Sequence, residues 1–295
     1  MRTKMDKTIG FVGLGIMGRP MALNLISAGY QLVCYNYNQH AVAFAQTTGI
    51  ECLDSLKTLA SMSDVIITIL PDSPQVKAVA LGKDGLIEGL KPGQLYVDMS
   101  TIDAETIRLI EQTFKQKGVE TIDAPVSGGE QAAQQGSLSI MVGGTQAAFE
   151  RALPVLNVMG KKINLMGQIG AGQVTKSCNQ IATALATQGV IEALTLAKNA
   201  GLEPSKVKEA LSGGFASSRA LDSVGDRIIQ QNFVAGFKVH LYRKDLRIAL
   251  KIANDLQLNV PGAELVAEEM DTLIAEGFGE SDFSRLVAVI ETQKN

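Results

Sequence analysis

Several things are scarce in this sequence. It has three cysteines, Cys34, Cys52 and Cys178, in 295 residues. That is no disulfide framework, and it fits a reducing, cytoplasmic setting. The two histidines, His40 and His240, are far apart. Neither they nor the cysteines form a zinc-ligand pattern, so no metal is expected. Charged residues make up only 19% of the chain, with 27 Lys plus Arg against 30 Asp plus Glu. No basic excess exists to drive nucleic-acid binding. No run approaches the roughly 18 apolar residues of a membrane span. The start, MRTKMDKTIGFVGLGIMG, sets basic residues before apolar ones, as a secretory leader does. Its apolar stretch is short and full of glycine, and no small-residue cleavage site follows, so no leader is expected. Neither a repeat nor a low-complexity tail is visible.

What is present is apolar and rich in glycine. Apolar residues reach 46%, which argues against disorder, and the length suits two cores. In the first half, short branched apolar runs alternate with helix-length segments. Strands are expected at residues 8–12, 32–35, 65–70, 95–98 and 119–122, with 138–142 and 163–165 extending the sheet. A helix is expected over 17–28, ended by Gly29, and Pro71 stops the third strand. This spacing predicts a mostly parallel sheet with helices on both faces. Past Gly167 the period changes. Residues 174–200 read as one long helix capped by Gly201, and further helices are expected at 207–211, 220–229, 241–254, 262–275 and 283–290. The fold class is therefore α/β: a Rossmann-type dinucleotide-binding domain over 1–168, then an all-helical domain over 169–295. Ligands of such sheets sit beyond the carboxyl ends of the strands.

Gly13-Leu14-Gly15-Ile16-Met17-Gly18 follows the first strand and opens a helix, in the pattern G-x-G-x-x-G. Gly13 would make the tight turn, Gly15 would let a pyrophosphate approach, and Gly18 would allow close helix packing. The position about 20 residues further on usually holds an acid for NAD, or an arginine nearby for NADP. Here Asn36 and Tyr37 stand there, so the choice between NAD and NADP is open. Leu70 and Pro71 end one strand and Thr101 follows another, where their backbones could flank the nicotinamide riboside. Thr101 reads equally well as the cap of the helix starting near Asp103.

In the run after Asp123, the Ser127 hydroxyl and the amides of Gly128 and Gly129 suit a substrate carboxylate. Gly170-Ala171-Gly172 leads into a helix carrying Lys176, with Asn179 and Gln180 three and four residues later on its face. A lysine one turn inside an apolar helix can protonate an oxygen gaining negative charge. Cys178 points elsewhere on the helix and reads as packing. Lys244 and Asp245 read either as a solvent-facing pair or as a cover over the cofactor.

Taken together, GFVGLGIMGRPMALNL, DAPVSGGEQAAQQGSLSIMVGG, GAGQVTKSCNQ and GFKVHLYRKDLRIAL resemble the dinucleotide, substrate, catalytic and later cofactor blocks of the beta-hydroxyacid dehydrogenase family. The resemblance implies that Lys176 is catalytic. It implies substrate contacts at Ser127, Gly128, Gly129 and Asn179, and cofactor contacts at Thr101 and Lys244 with Asp245 near the site. It implies an NAD- or NADP-dependent enzyme acting on a small carboxylate-bearing aldehyde or hydroxyacid, as a homodimer or homotetramer. Many relatives carry two asparagines after the lysine; Asn179-Gln180 looks like the branch that reduces tartronate semialdehyde to D-glycerate. Asn36-Tyr37 departs from that branch, which often has Asp-Arg there. The alternatives are oxidation of 3-hydroxyisobutyrate, reduction of glyoxylate or succinic semialdehyde, and a non-catalytic dinucleotide-binding redox sensor.

Overall fold

A computed structural model describes residues 7–292. The first six residues of the leader-like start lie outside the described residues. The backbone divides into two compact units, with the boundary between Lys176 and Ser177.

The first unit is built on a nine-stranded sheet. Its strands are β1 (Thr8–Val12), β2 (Gln31–Tyr35), β3 (Glu51–Leu53), β4 (Val65–Thr68), β5 (Leu95–Asp98), β6 (Glu120–Asp123), β7 (Val126–Ser127), β8 (Leu138–Gly143) and β9 (Gly160–Gly167). The order is β3-β2-β1-β4-β5-β6-β8-β7, with β9 beside β8. Its first six strands are all parallel and follow the 3-2-1-4-5-6 order of doubly wound dinucleotide folds. β7 and β6 pair antiparallel with β8.

Period-two alternation sorts the strand residues into two layers. Ile9, Phe11, Leu32, Cys34, Val65, Ile67, Leu95 and Val97 face one core. That core is closed by helices α1 (Gly18–Ser27), α2 (Gln39–Thr48) and α7 (Gln146–Met159). Val12, Val33, Ile66 and Tyr96 face the other core. It is closed by α3 (Leu56–Met62), α4 (Ser73–Leu81) and α5 (Ala104–Lys115). A short helix, α6 (Gly129–Gln134), follows β7, and Asn24 Nδ2 on α1 donates to Ala133 O at 2.7 Å.

Of the details that differ from the sequence expectation, three bear on the sheet and the site. β4 stops at Thr68, because Pro71 turns the chain and Leu70 N is taken by Ser100 Oγ at 2.9 Å. β3 and β7 were not expected; each is too short to show a period. The cap of α5 is Asp103, whose side chain accepts from Thr106 N at 2.7 Å, so capping does not account for Thr101.

The long helix is α8 (Ala171–Asn199). The second unit continues with α9 (Pro204–Ser212), α10 (Arg219–Ile229), α11 (Val239–Asp255), α12 (Pro261–Ala275) and α13 (Val287–Thr292). Val239, Tyr242 and Leu246 recur at helical spacing on α11 and join Ile191, Leu194, Val266, Met270 and Leu273 in its core. Gly201 ends α8 with φ +79°. Among the described residues, no helix is long and apolar enough to cross a membrane.

Candidate functional site

The strand order reverses between β1 and β4, and the loops that leave those two strands meet there. Gly13 has φ +110°, and a methyl on it would strike Ile69 O. Gly18 begins α1, and a methyl on it would strike Gly13 O. Gly15 is different: a methyl there would meet no atom within 4 Å. Two glycines of the motif are thus required by the protein's own backbone, and the third leaves an open face. The first turn of α1 has no side-chain cap, and Arg19 N and Met21 N donate to Gly15 O and Met17 O while Pro20 has no N–H, so the amides left for an anion are those of the loop up to Gly18. Leu14 is buried, and Arg19 Nε donates to Leu14 O at 3.0 Å, which fixes the loop from behind. These features fit the pyrophosphate of a dinucleotide.

Below the loop after β4 lies a buried polar network. Tyr96 OH and Thr68 Oγ1 are 2.8 Å apart, and Thr68 Oγ1 donates to Asp98 Oδ1 at 2.7 Å. Thr68 gives its proton to Asp98, so Tyr96 is the donor to Thr68. Ser100 Oγ also donates to Asp98 Oδ1 at 2.7 Å while accepting from Leu70 N. Asp98 therefore holds the Leu70-Pro71 loop through Ser100. Burial pushes its carboxyl up to about 6, partly offset by the Thr68 and Ser100 hydroxyls.

A second buried acid fixes the start of α8. Asp123, at the end of β6, accepts from Gly170 N at 2.6 Å and Gln173 N at 2.8 Å. Burial raises its pKa against the pull of those amides. Gly170 has φ +90°, and a methyl on Gly172 would lie 2.7 Å from Asp123 Oδ2, which explains the Gly-Ala-Gly entry. Gln173 accepts from Ile102 N at 3.1 Å and donates to Ser100 O at 2.9 Å, so the residues around Thr101 are tied to the same turn. Lys176 follows on α8 and is buried.

Ser127 closes β7 opposite Ser139 of β8. Gly128 and Gly129 follow with φ +133° and +68°, conformations that favour glycine. A methyl on Gly129 would meet nothing within 4 Å, a second open backbone face.

In the second unit the polar candidates form a chain. Asn179 Nδ2 donates to Gln180 Oε1 at 2.8 Å, and Gln180 Nε2 donates to Asp245 Oδ2 at 2.6 Å. Lys244 Nζ lies 2.6 Å from Asp245 Oδ1, with both side chains largely buried. The pair is therefore not solvent-facing. Tyr242 OH donates to Gln180 O at 3.0 Å, and burial, then Asp245, raise its pKa. Cys178, read as packing, is exposed, because this turn of α8 buries Ser177 and Gln180 instead. Sequence reasoning missed Asp98, Asp123 and Gln173. Their only sequence signal is a polar residue at a strand end or helix start. Among the described residues, no group of three or more His, Cys, Asp or Glu could hold a metal.

Two family models cover this chain. The NAD binding domain of 6-phosphogluconate dehydrogenase matches residues 8–167. The NAD-binding model of NADP-dependent 3-hydroxyisobutyrate dehydrogenase matches residues 170–290. The chain belongs to the beta-hydroxyacid dehydrogenase family of NAD(P)-dependent oxidoreductases. Among its relatives is 2-hydroxy-3-oxopropionate reductase of Escherichia coli K12, 42% identical over 97% of this chain and 98% of that protein. The NAD-dependent L-serine dehydrogenase of Pseudomonas aeruginosa is 35% identical over 94% of this chain and 96% of its own length. The crystal structure of 3-hydroxyisobutyrate dehydrogenase from Salmonella typhimurium superposes with a TM-score of 0.88 at 26% identity, covering 96% of this chain and all of that one.

Proposed function

We propose that this enzyme reduces 2-hydroxy-3-oxopropionate (tartronate semialdehyde) to D-glycerate, reversibly. The observation that carries the reading is the end-to-end likeness to 2-hydroxy-3-oxopropionate reductase. The Asn179-Gln180 pair adds support. When bound, the reduced nicotinamide supplies the hydride that reaches the aldehyde carbon. Lys176 gives a proton to the oxygen that becomes charged, and in the reverse direction its neutral amine takes the hydroxyl proton. Ser127 and the amides of Gly128 and Gly129 hold the substrate carboxylate. Asn179 hydrogen-bonds the substrate, oriented by Gln180 and Asp245. The backbone of Gly13 to Gly18 receives the pyrophosphate, Asn36 the adenosine ribose, and Leu70, Pro71, Thr101 and Lys244 the nicotinamide half. Residues 1–168 serve cofactor binding, and the helical domain runs over 169–295. The assembly is a homodimer or homotetramer in the cytoplasm, a setting that the free thiols fit.

The test follows cofactor oxidation by absorbance with tartronate semialdehyde, glyoxylate, succinic semialdehyde and methylmalonate semialdehyde. Tartronate semialdehyde is expected to give the highest kcat/KM. Lys176→Ala is expected to lose about a thousandfold in kcat, within the range for a general acid, while still binding cofactor. A different preferred aldehyde overturns the substrate assignment. Nucleotide binding without turnover of any aldehyde favours the redox-sensor reading.

A further inference from the structure

At the open ends of β2 and β3 the chain departs from the usual dinucleotide arrangement. The acid that ordinarily takes the ribose 2′-hydroxyl stands at the end of β2, and Asn36 occupies that place. Tyr35 and Leu53 are register partners across β2 and β3, so Asn36 and Asp54 leave the sheet side by side. Asn36 N donates to Leu53 O at 2.8 Å. Asn36 Nδ2 donates to Asp54 Oδ1 at 2.6 Å. A carboxylate, that of Asp54 just past β3, thus stands against the residue at the end of β2.

A hollow of about 430 Å³ opens beside Asn36, with Asn36, Tyr37, Asn38 and Val42 in its wall. None of the described residues lining it is Lys, Arg or His. Asn38 is already used: its Oδ1 accepts from Ala41 N at 3.0 Å and caps α2.

We infer that Asp54 is a specificity-determining residue that, acting through Asn36, makes this site take NAD(H) in preference to NADP(H). Only the NH₂ end of an amide can donate to a carboxylate, so Asp54 fixes the Asn36 amide and leaves Oδ1 as an acceptor. A ribose 2′-hydroxyl has a proton for that acceptor. A 2′-phosphate at neutral pH offers oxygens instead, and brings close to two negative charges next to Asp54. No cation in the wall of the hollow offsets that repulsion. The inference rests on the family's use of NAD or NADP and states which of the two is taken.

The test titrates NADH and NADPH separately into the full-length protein by calorimetry, giving a Kd for each. Wild type is expected to bind NADH at least about tenfold more tightly. Asp54→Asn keeps an acceptor for Asn36 and removes the charge. It should narrow the ratio of the two Kd values by about tenfold, mainly by tightening NADPH, and Asp54→Glu should restore most of the preference. Asp54 is exposed, so both variants should keep the wild-type Tm. Tighter binding of NADPH by wild type, or a ratio moved less than about twofold by Asp54→Asn, overturns the inference. Binding of neither nucleotide overturns the cofactor reading along with it, whereas binding of both with an unmoved ratio removes only the role of Asp54.

Discussion

Gly15 and Gly18 lie three residues apart and answer to different neighbours. A side chain on Gly18 meets Gly13 O, backbone that cannot step aside; a side chain on Gly15 meets no protein atom. Gly18→Ala is therefore expected to destabilise the fold by about 2–4 kcal/mol, as overpacking against fixed backbone does. Gly15→Ala should leave the urea midpoint within error and weaken NADH binding by about tenfold or more. Equal effects of the two changes on stability would contradict this division. The motif itself was legible from its spacing, because each glycine answers a local demand. Asp54 was not, since its bond to Asn36 depends on β3, a strand of three residues.

At the scale of the element, α8 is set by what grips its first turn. From β6, Asp123 holds the amide of Gln173 in that turn and the amide of Gly170 just before it, and Gln173 ties the same turn to Ser100 and Ile102. Asp123→Asn keeps one acceptor and turns an NH₂ toward a backbone N–H. The loss should be about 2–3 kcal/mol by urea denaturation, the scale of a charged hydrogen bond. If the turn positions Lys176, kcat should fall further than KM rises; an unchanged kcat would make the clamp purely structural. The helix was visible in sequence as a long stretch without breakers. Its clamp was not, because Asp123 and Gly170 are 47 residues apart and no period links them. The same limit hid the chain from Asn179 to Lys244, whose middle bond joins Gln180 to a residue 65 positions away.

For the molecule as a whole, the buried Asp98 makes stability depend on pH. Its carboxyl sits near 6 in the fold, against an ordinary 3.8. Below the ordinary value it is protonated whether the chain is folded or not. Between the two values only the folded chain holds the proton. Above about 6 both states are charged, and the fold carries an ion away from water. The contribution of Asp98 is thus fully present in acid and is lost as pH rises through about 6, on the order of 3 kcal/mol. Urea midpoints measured from pH 4 to 7 should show this fall superposed on the other groups, and Asp98→Asn should flatten it. A variant with the wild-type slope would place the titration elsewhere. The division into a parallel-sheet half and a helical half was legible from the change of hydrophobic period near Gly167. The buried acids were not, because an aspartate at a strand end looks the same whether it meets water or a hydroxyl.

The cysteines separate by accessibility in a way that bears on handling the protein. Burial, then its register neighbour Cys52, push the Cys34 thiol up to about 12, which keeps it protonated and inert. Cys178 is the exposed thiol, two residues beyond Lys176 on α8. The wild-type chain therefore carries a natural attachment point for a maleimide dye on the helix that bears the proposed proton donor. That helix can thus carry a label without an engineered cysteine.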